Sequence, residues 1–285
     1  MIGADSGWQE PPLAVQAETI AGGGWRRLLP RSRDLDSWLP AISVLAFLGL
    51  WQAVGSSMNP ILLSTPTAIA AAFLRILLKG ELINGFLISL ADLGVGFGIA
   101  LVAGIGVGIL MGRFRRFERV LDPYVSFMNA TPLVALIPVV IIWFGIGFKA
   151  RVFFVFILAV WSVLVNTVAG IKNVNRGLME VAVSFGLSES QLVRWVSIPA
   201  AAPYILAGVR VGLGKAIVGM IIGEIDVQAA GLGGLVLNYG DSFQTAELFA
   251  VILCTSIFGV LFVGALGLIQ KRWFPWIVET AGAQH

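Results

Sequence analysis

Apolar residues fall in six long blocks, at 38–55, 85–112, 131–148, 152–171, 203–225 and 246–269. Shorter stretches between them hold most of the charge. A helix needs roughly 20 mostly apolar residues to cross a bilayer, so each block predicts one spanning helix. A seventh stretch, 67–78, is shorter and carries Arg75 and Lys79 at its end. It predicts a helix lying at the interface. The pattern changes character at 172–202. There "EVAVSFGLSESQLVRWVSIP" (180–199) joins two spans, yet it is half apolar. Leu178, Ala182 and Phe185 stand at i, i+4 and i+7 on one helix face, which Val181 widens. Gly186 is placed to end that helix in the left-handed conformation. Ser188 and Gln191 have the spacing of a capping box that opens a second helix. Leu192, Trp195, Val196 and Pro199 share one side of it, and Pro199 and Pro203 are expected to break it before the fifth span.

Composition agrees with this reading. Hydrophobic residues make up 58% of the 285 and charged residues 12%, against about 25% charged in soluble domains. The chain reads as an all-α polytopic membrane protein with six transmembrane helices. Residues 1–37 lack the short apolar core of a signal peptide and are taken as a tail. The membrane domain is 38–275, and 276–285 form a second tail. Basic residues set the direction. Thirteen Lys and Arg flank one side of the spans, including Arg26, Arg113, Lys172 and Lys271. Four lie on the other side, Arg75, Lys79, Lys149 and Arg151. The bias places both termini and the 172–202 loop in the cytoplasm. The net charge of +3 belongs to these loops, because no basic run interleaved with aromatics suggests nucleic-acid binding. Cys254 and His285 are the only cysteine and histidine, which excludes a Cys/His metal site.

Within the spans, Gly94 and Gly98, then Gly104, Gly108 and Gly112, repeat at intervals of four, the spacing of close helix packing in lipid. Pro132 and Pro138 predict kinks in the third span. Four ionisable residues fall in or near membrane spans, namely Asp92, Arg210, Lys215 and Glu224. Such groups are costly there and face protein or water, which makes them translocation-path candidates. Arg210 can snorkel to the cytoplasmic surface, whereas Lys215 lies deeper. A path lysine would assist an anion, and a structural pair with a carboxylate on another span is the alternative. Arg210 and Glu224 share a face but stand roughly 21 Å apart, too far for a direct pair.

The apolar side chains of 172–202 need cover, since burying one Val, Leu or Phe is worth about 1.5–3 kcal/mol. The loop is too small to enclose a core. The cover can be the ends of the spans, the lipid surface or another protein. The helix carries Glu180 and few cations, whereas a lipid-binding helix would favour Lys and Arg. That favours a protein partner.

At these residues a resemblance emerges. Glu180-Val181-Ala182-x-x-x-Gly186, with Ile198-Pro199 after it, resembles the E-A-A-x-x-x-G loop of ATP-binding-cassette (ABC) importer permeases. The stretches "LLSTPTAI", "GRFRRFERVLDPYV", "TPLVALIPVVIIWFGIG" and "IPAAAPYILAGVRVGLGKAI" are similar to the nitrate, sulfonate and taurine subfamily. The resemblance implies the type I importer permease fold in a multi-pass protein of the bacterial inner membrane. It implies a permease dimer, two cytoplasmic ATPase subunits that bind ATP and Mg, and an extracytoplasmic binding protein. Carried over residue by residue, Glu180, Ala182 and Gly186 would dock on the ATPase, with Leu178 and Phe185 on the same helix. Val181 departs from the pattern, standing where it has its first alanine. Asp92 departs too, because Ser89-Leu90-Ala91-Asp92 has an acid where relatives often have a base. That leaves zwitterionic, cationic and neutral cargo open beside anions. The chain itself has no phosphate loop. Gly214-Lys215 is followed by Ala216, and Val209 stands where the first glycine should be. An autonomous secondary transporter or channel and an intramembrane enzyme are the other classes. Neither accounts for the apolar loop.

Overall fold

The computed structural model describes residues 33–273, and all regular structure among them is helical. The chain divides after Trp51 into two units. Helix α1 (Arg33–Ser57) runs through that boundary. In the second unit, Gln52 at the end of α1 accepts hydrogen bonds from the backbone N–H and hydroxyl of Thr67, each at 3.3 Å. Helix α2 (Pro66–Leu78) follows, capped by the Thr65 hydroxyl, with Pro66 in its first turn. At 13 residues it is too short to span, as its sequence suggested.

The centre is a trio. Helix α6 (Phe148–Lys172) packs along its length against α3 (Glu81–Arg113) and α9 (Ile198–Ile222). The α3 ridge is Gly96, Ala100, Gly104, Gly108 and Gly112. A Cβ on Gly108 would lie 2.6 Å from the Thr167 Cβ, so only glycine permits that approach. On the other side, a Cβ on Gly219 of α9 would lie 2.8 Å from the Phe154 carbonyl oxygen. The expected pair Gly94 and Gly98 is corrected here, since both face open space and Gly96 takes the packed position. Gly94 and Gly98 lie two residues to either side of Gly96, so they sit off the ridge that begins there. Among the buried residues of the trio, Leu93, Val155, Ala159, Leu213 and Met220 form the main core cluster with Phe258 of α11 (Thr245–Trp273).

Two expectations about prolines are revised. The third block does not form a kinked span over 131–148. Helix α4 (Arg115–Ala130) ends, a 3₁₀ turn (Leu133–Leu136) follows, and α5 (Ile137–Phe144) starts after a 96° bend. Pro132 caps the turn and Pro138 lies in the first turn of α5, so both sit at helix starts, where no N–H is required. Among the described residues five helices are long and apolar enough to cross, and the bent pair can supply a sixth crossing. Pro199 and Pro203 do not break the second loop helix before the fifth span either: Pro199 lies in the first turn of α9 and Pro203 inside it. Helix α7 (Arg176–Ser184) is followed by α8 (Glu189–Leu192). A π turn (Val193–Ser197) then joins α8 to α9 in one helical run. The wider turn shifts the hydrogen-bond register so that Pro199 falls at the start of the next ladder.

The stretch after the fifth span contains α10 (Gly231–Asp241), packed on α3 and α11. Leu232, Leu235 and Tyr239 at i, i+3 and i+7 were the available signal.

Candidate functional site

Two regions hold most of the candidate residues. The first is the loop. Asn175 caps α7 by accepting from the Gly177 N–H at 2.8 Å. The helix ends in a Schellman corner. Gly186 has φ +77°, its N–H donates to Val183 O at 2.8 Å, and the Leu187 N–H donates to Ala182 O at 3.3 Å. Ser188 and Gln191 form the capping box, with the Ser188 N–H on Gln191 Oε1 at 2.8 Å. The loop is therefore held by its own backbone. It is also tied to the spans. Arg113 at the end of α3 donates to Glu189 at 2.9 Å, and Lys172 at the end of α6 pairs with Glu118 of α4. Between these pairs lies a cleft of about 460 Å³ lined by Gly112, Lys172, Met179 and Ser197, among others.

The loop's apolar residues divide sharply. Ala182, expected on one face with Leu178 and Phe185, is instead 8% exposed and covered within the chain. Leu178, Val181 and Phe185 are exposed, Phe185 by 81%. Trp195 is exposed as well, with Arg194 over its ring at 5.4 Å. Glu180 is exposed and unpaired among the described residues.

The second region is a buried polar cluster that no single stretch of sequence announces. Asp92 on α3 is fully buried and accepts from Arg151 Nε at 2.7 Å. Arg151, on the first turn of α6, donates from Nη1 to Gln228 Oε1 at 2.6 Å. Glu224, fully buried in the π turn after α9, accepts from the Gly233 N–H at 2.7 Å. Ser89, one turn before Asp92, accepts from the Leu232 N–H at 2.9 Å. Gly231 has φ +61°, and a Cβ there would lie 2.6 Å from Ser89 Oγ. Asp92 and Glu224 thus share a cluster that faces protein. Arg151, read from the sequence only as a flanking cation, is the partner. Further along α10, Tyr239 donates to Glu81 of α3. Burial, then the Glu81 carboxylate, push the Tyr239 phenol above its usual range.

Lys215 and Arg210 stand apart from that cluster. Lys215 is exposed on α9, beside Gly214, which has open space around it. Arg210 donates to Gln270 of α11 at 3.5 Å, and Gln270 in turn donates to Leu206 O at 3.2 Å.

Comparison with known proteins decides the family. The family model described as "Binding-protein-dependent transport system inner membrane component" matches residues 100–275, which include the whole loop. The chain belongs to this family. The permease is 32% identical over 270 residues to the bicarbonate transport system permease protein CmpB of Synechococcus elongatus, covering 88% of this chain and 95% of that one. It is 29% identical to the taurine transport system permease protein TauC of Escherichia coli, covering 88% and 93%. Its fold matches that of a chain in the inward-facing MetNI methionine ABC transporter, with TM-score 0.56 and 21% identity over 67% of this chain and 93% of that one. The permease is thus the membrane-spanning transport subunit of an ABC importer, a multi-pass inner-membrane protein. It works with an ATPase and a binding protein, and it is a transport subunit, not an enzyme. Family membership decides against the autonomous transporter.

Proposed function

We propose that the exposed face of α7 docks on the ATPase and carries its motion into the spans. The single observation that carries this is the exposure of Leu178, Val181 and Phe185 on a helix whose ends are rigidly capped. Apolar side chains held out in this way lose stabilisation of about 25 cal/mol per Å² until something covers them. The Lys and Arg bias puts this face in the cytoplasm, where an ATPase would meet it. Glu180 stands on the rim of the same helix, free for a basic group or backbone donor. Ala182 keeps α7 close to α8, and Gly186 sets the exit angle. Arg113–Glu189 and Lys172–Glu118 link the docked loop to α3, α6 and α4.

In this reading two copies of the permease pair in the membrane, each meeting one ATPase subunit. ATP and Mg bind to the ATPases. Closure of the ATPase pair drives α7 and opens the path outward, and hydrolysis resets it. The cargo is a small anion or zwitterion of the bicarbonate, nitrate, sulfonate or taurine kind, handed over by the binding protein. Lys215, on an exposed face of α9, is the residue best placed to meet an anion. Asp92 does not oppose an anion, because Arg151 neutralises it.

The test is capture of the ATPase by the tagged permease in detergent. Phe185→Asp and Leu178→Asp should each cut capture by at least about tenfold, equivalent to about 1.4 kcal/mol, at unchanged permease abundance. Full capture and normal uptake in both variants would refute the docking role.

A further inference from the structure

We propose that Ser89, Asp92, Arg151, Gln228 and Glu224 form a clasp that keeps α10 fastened to α3 throughout the transport cycle, with Arg151 as its positioning residue. The inference rests on the reading of the chain as an importer subunit and adds a statement about which parts move together. Helix α10 is short, and its first N–H groups have no partners within the helix. Two of them, at Leu232 and Gly233, are taken by Ser89 of α3 and Glu224 of the π turn. The approach is close enough that a side chain on Gly231 would overlap both acceptors. Seven residues on, Tyr239 bonds Glu81 of α3, so α10 is pinned at two points to one helix. Between them, a Cβ on Gly85 would lie 2.9 Å from Leu235 of α10.

Arg151 makes the clasp cooperative. Its guanidinium joins Asp92 on α3 to Gln228 in the segment that leads into α10. Asp92 is fully buried and Arg151 nearly so. Parting α10 from α3 would therefore free N–H groups and disturb an ion pair in a medium with little water to replace the lost bonds. A movement that opened this joint in every cycle would have to desolvate and restore the whole set each time. Helix α10 accordingly travels with α3, α6 and the end of α9 as one body. Arg151 contributes by holding Gln228, and touches no cargo.

The test places Gly85→Cys and Leu235→Cys, which face each other across α3 and α10, in a Cys254→Ser background and assembles the permease with its ATPase and binding protein in liposomes. Oxidation should cross-link the pair to the same extent without nucleotide and with ATP plus vanadate, and the cross-linked transporter should keep its uptake. A cross-link that forms in only one state, or that stops uptake while ATP hydrolysis continues, would overturn the clasp. A second measurement compares Asp92→Asn, Arg151→Gln and the double variant. Each single variant leaves one charge without its partner and should lose roughly tenfold or more in membrane abundance and uptake, and the double should recover most of it. A double variant no better than the singles would also overturn the proposal. No uptake by the Cys254→Ser parent would count against the importer reading, and the cross-linking yields in the two states would still decide the clasp.

Discussion

The two ends of α3 invert the usual rule of burial. Near residue 92, two carboxylates and a guanidinium are sealed inside the protein. At the other end, about 30 Å away at 1.5 Å per residue, the helix ends at Arg113 beside a loop that holds Leu178, Val181 and Phe185 out in the open. Charges inside a membrane protein are tolerated when each finds partners, and here they fasten helices together. Exposed apolar side chains at a rigid loop are costly unless something covers them, and the proposed docking on the ATPase supplies that cover. One region is closed by its own residues. The other, in the proposed reading, is closed by the ATPase.

The largest effect expected from this contrast is at the closed end. Arg151→Met leaves Asp92 buried without a counter-charge and should cost about 3–5 kcal/mol, seen as a lower melting temperature and lower membrane abundance. At the open end the backbone corner comes next. Gly186→Val forces a β-branched residue to φ +77°, a cost of about 1–2 kcal/mol that thermal unfolding of the purified permease would register. Glu189→Gln removes the exposed partner of Arg113. It should lower stability by at most about 1 kcal/mol, and less in high salt. Phe185→Asp closes the series, with a stability change within about 0.5 kcal/mol because little among the described residues covers the ring. If Phe185→Asp destabilised the isolated permease as much as Arg151→Met does, the contrast between a closed and an open end would be lost.

Much of the loop was legible from its residues. The left-handed Gly186 and the Ser188–Gln191 box are signals within a few positions, and both formed. The burial of Ala182 was not legible, because it depends on how the short helices of the loop fold over each other. In the clasp, Asp92 and Glu224 drew notice as costly intramembrane groups, but Arg151 passed as a flanking cation. Its partner lies 59 positions away, and no local pattern encodes that pairing.

Taken alone, the chain's order of residues determined the membrane class, the blocks that cross, the helix–corner–helix loop and the family resemblance. Each rests on runs of hydropathy or on hydrogen bonds between near neighbours, which are local. The tertiary structure decided which glycines touch α6, where the third crossing breaks, and that α10 exists as a helix seated on α3. A helix apolar on every side carries no moment to say which face turns inward. That choice falls to the side chains of other helices, which settle how closely two backbones can approach and which buried charge meets which.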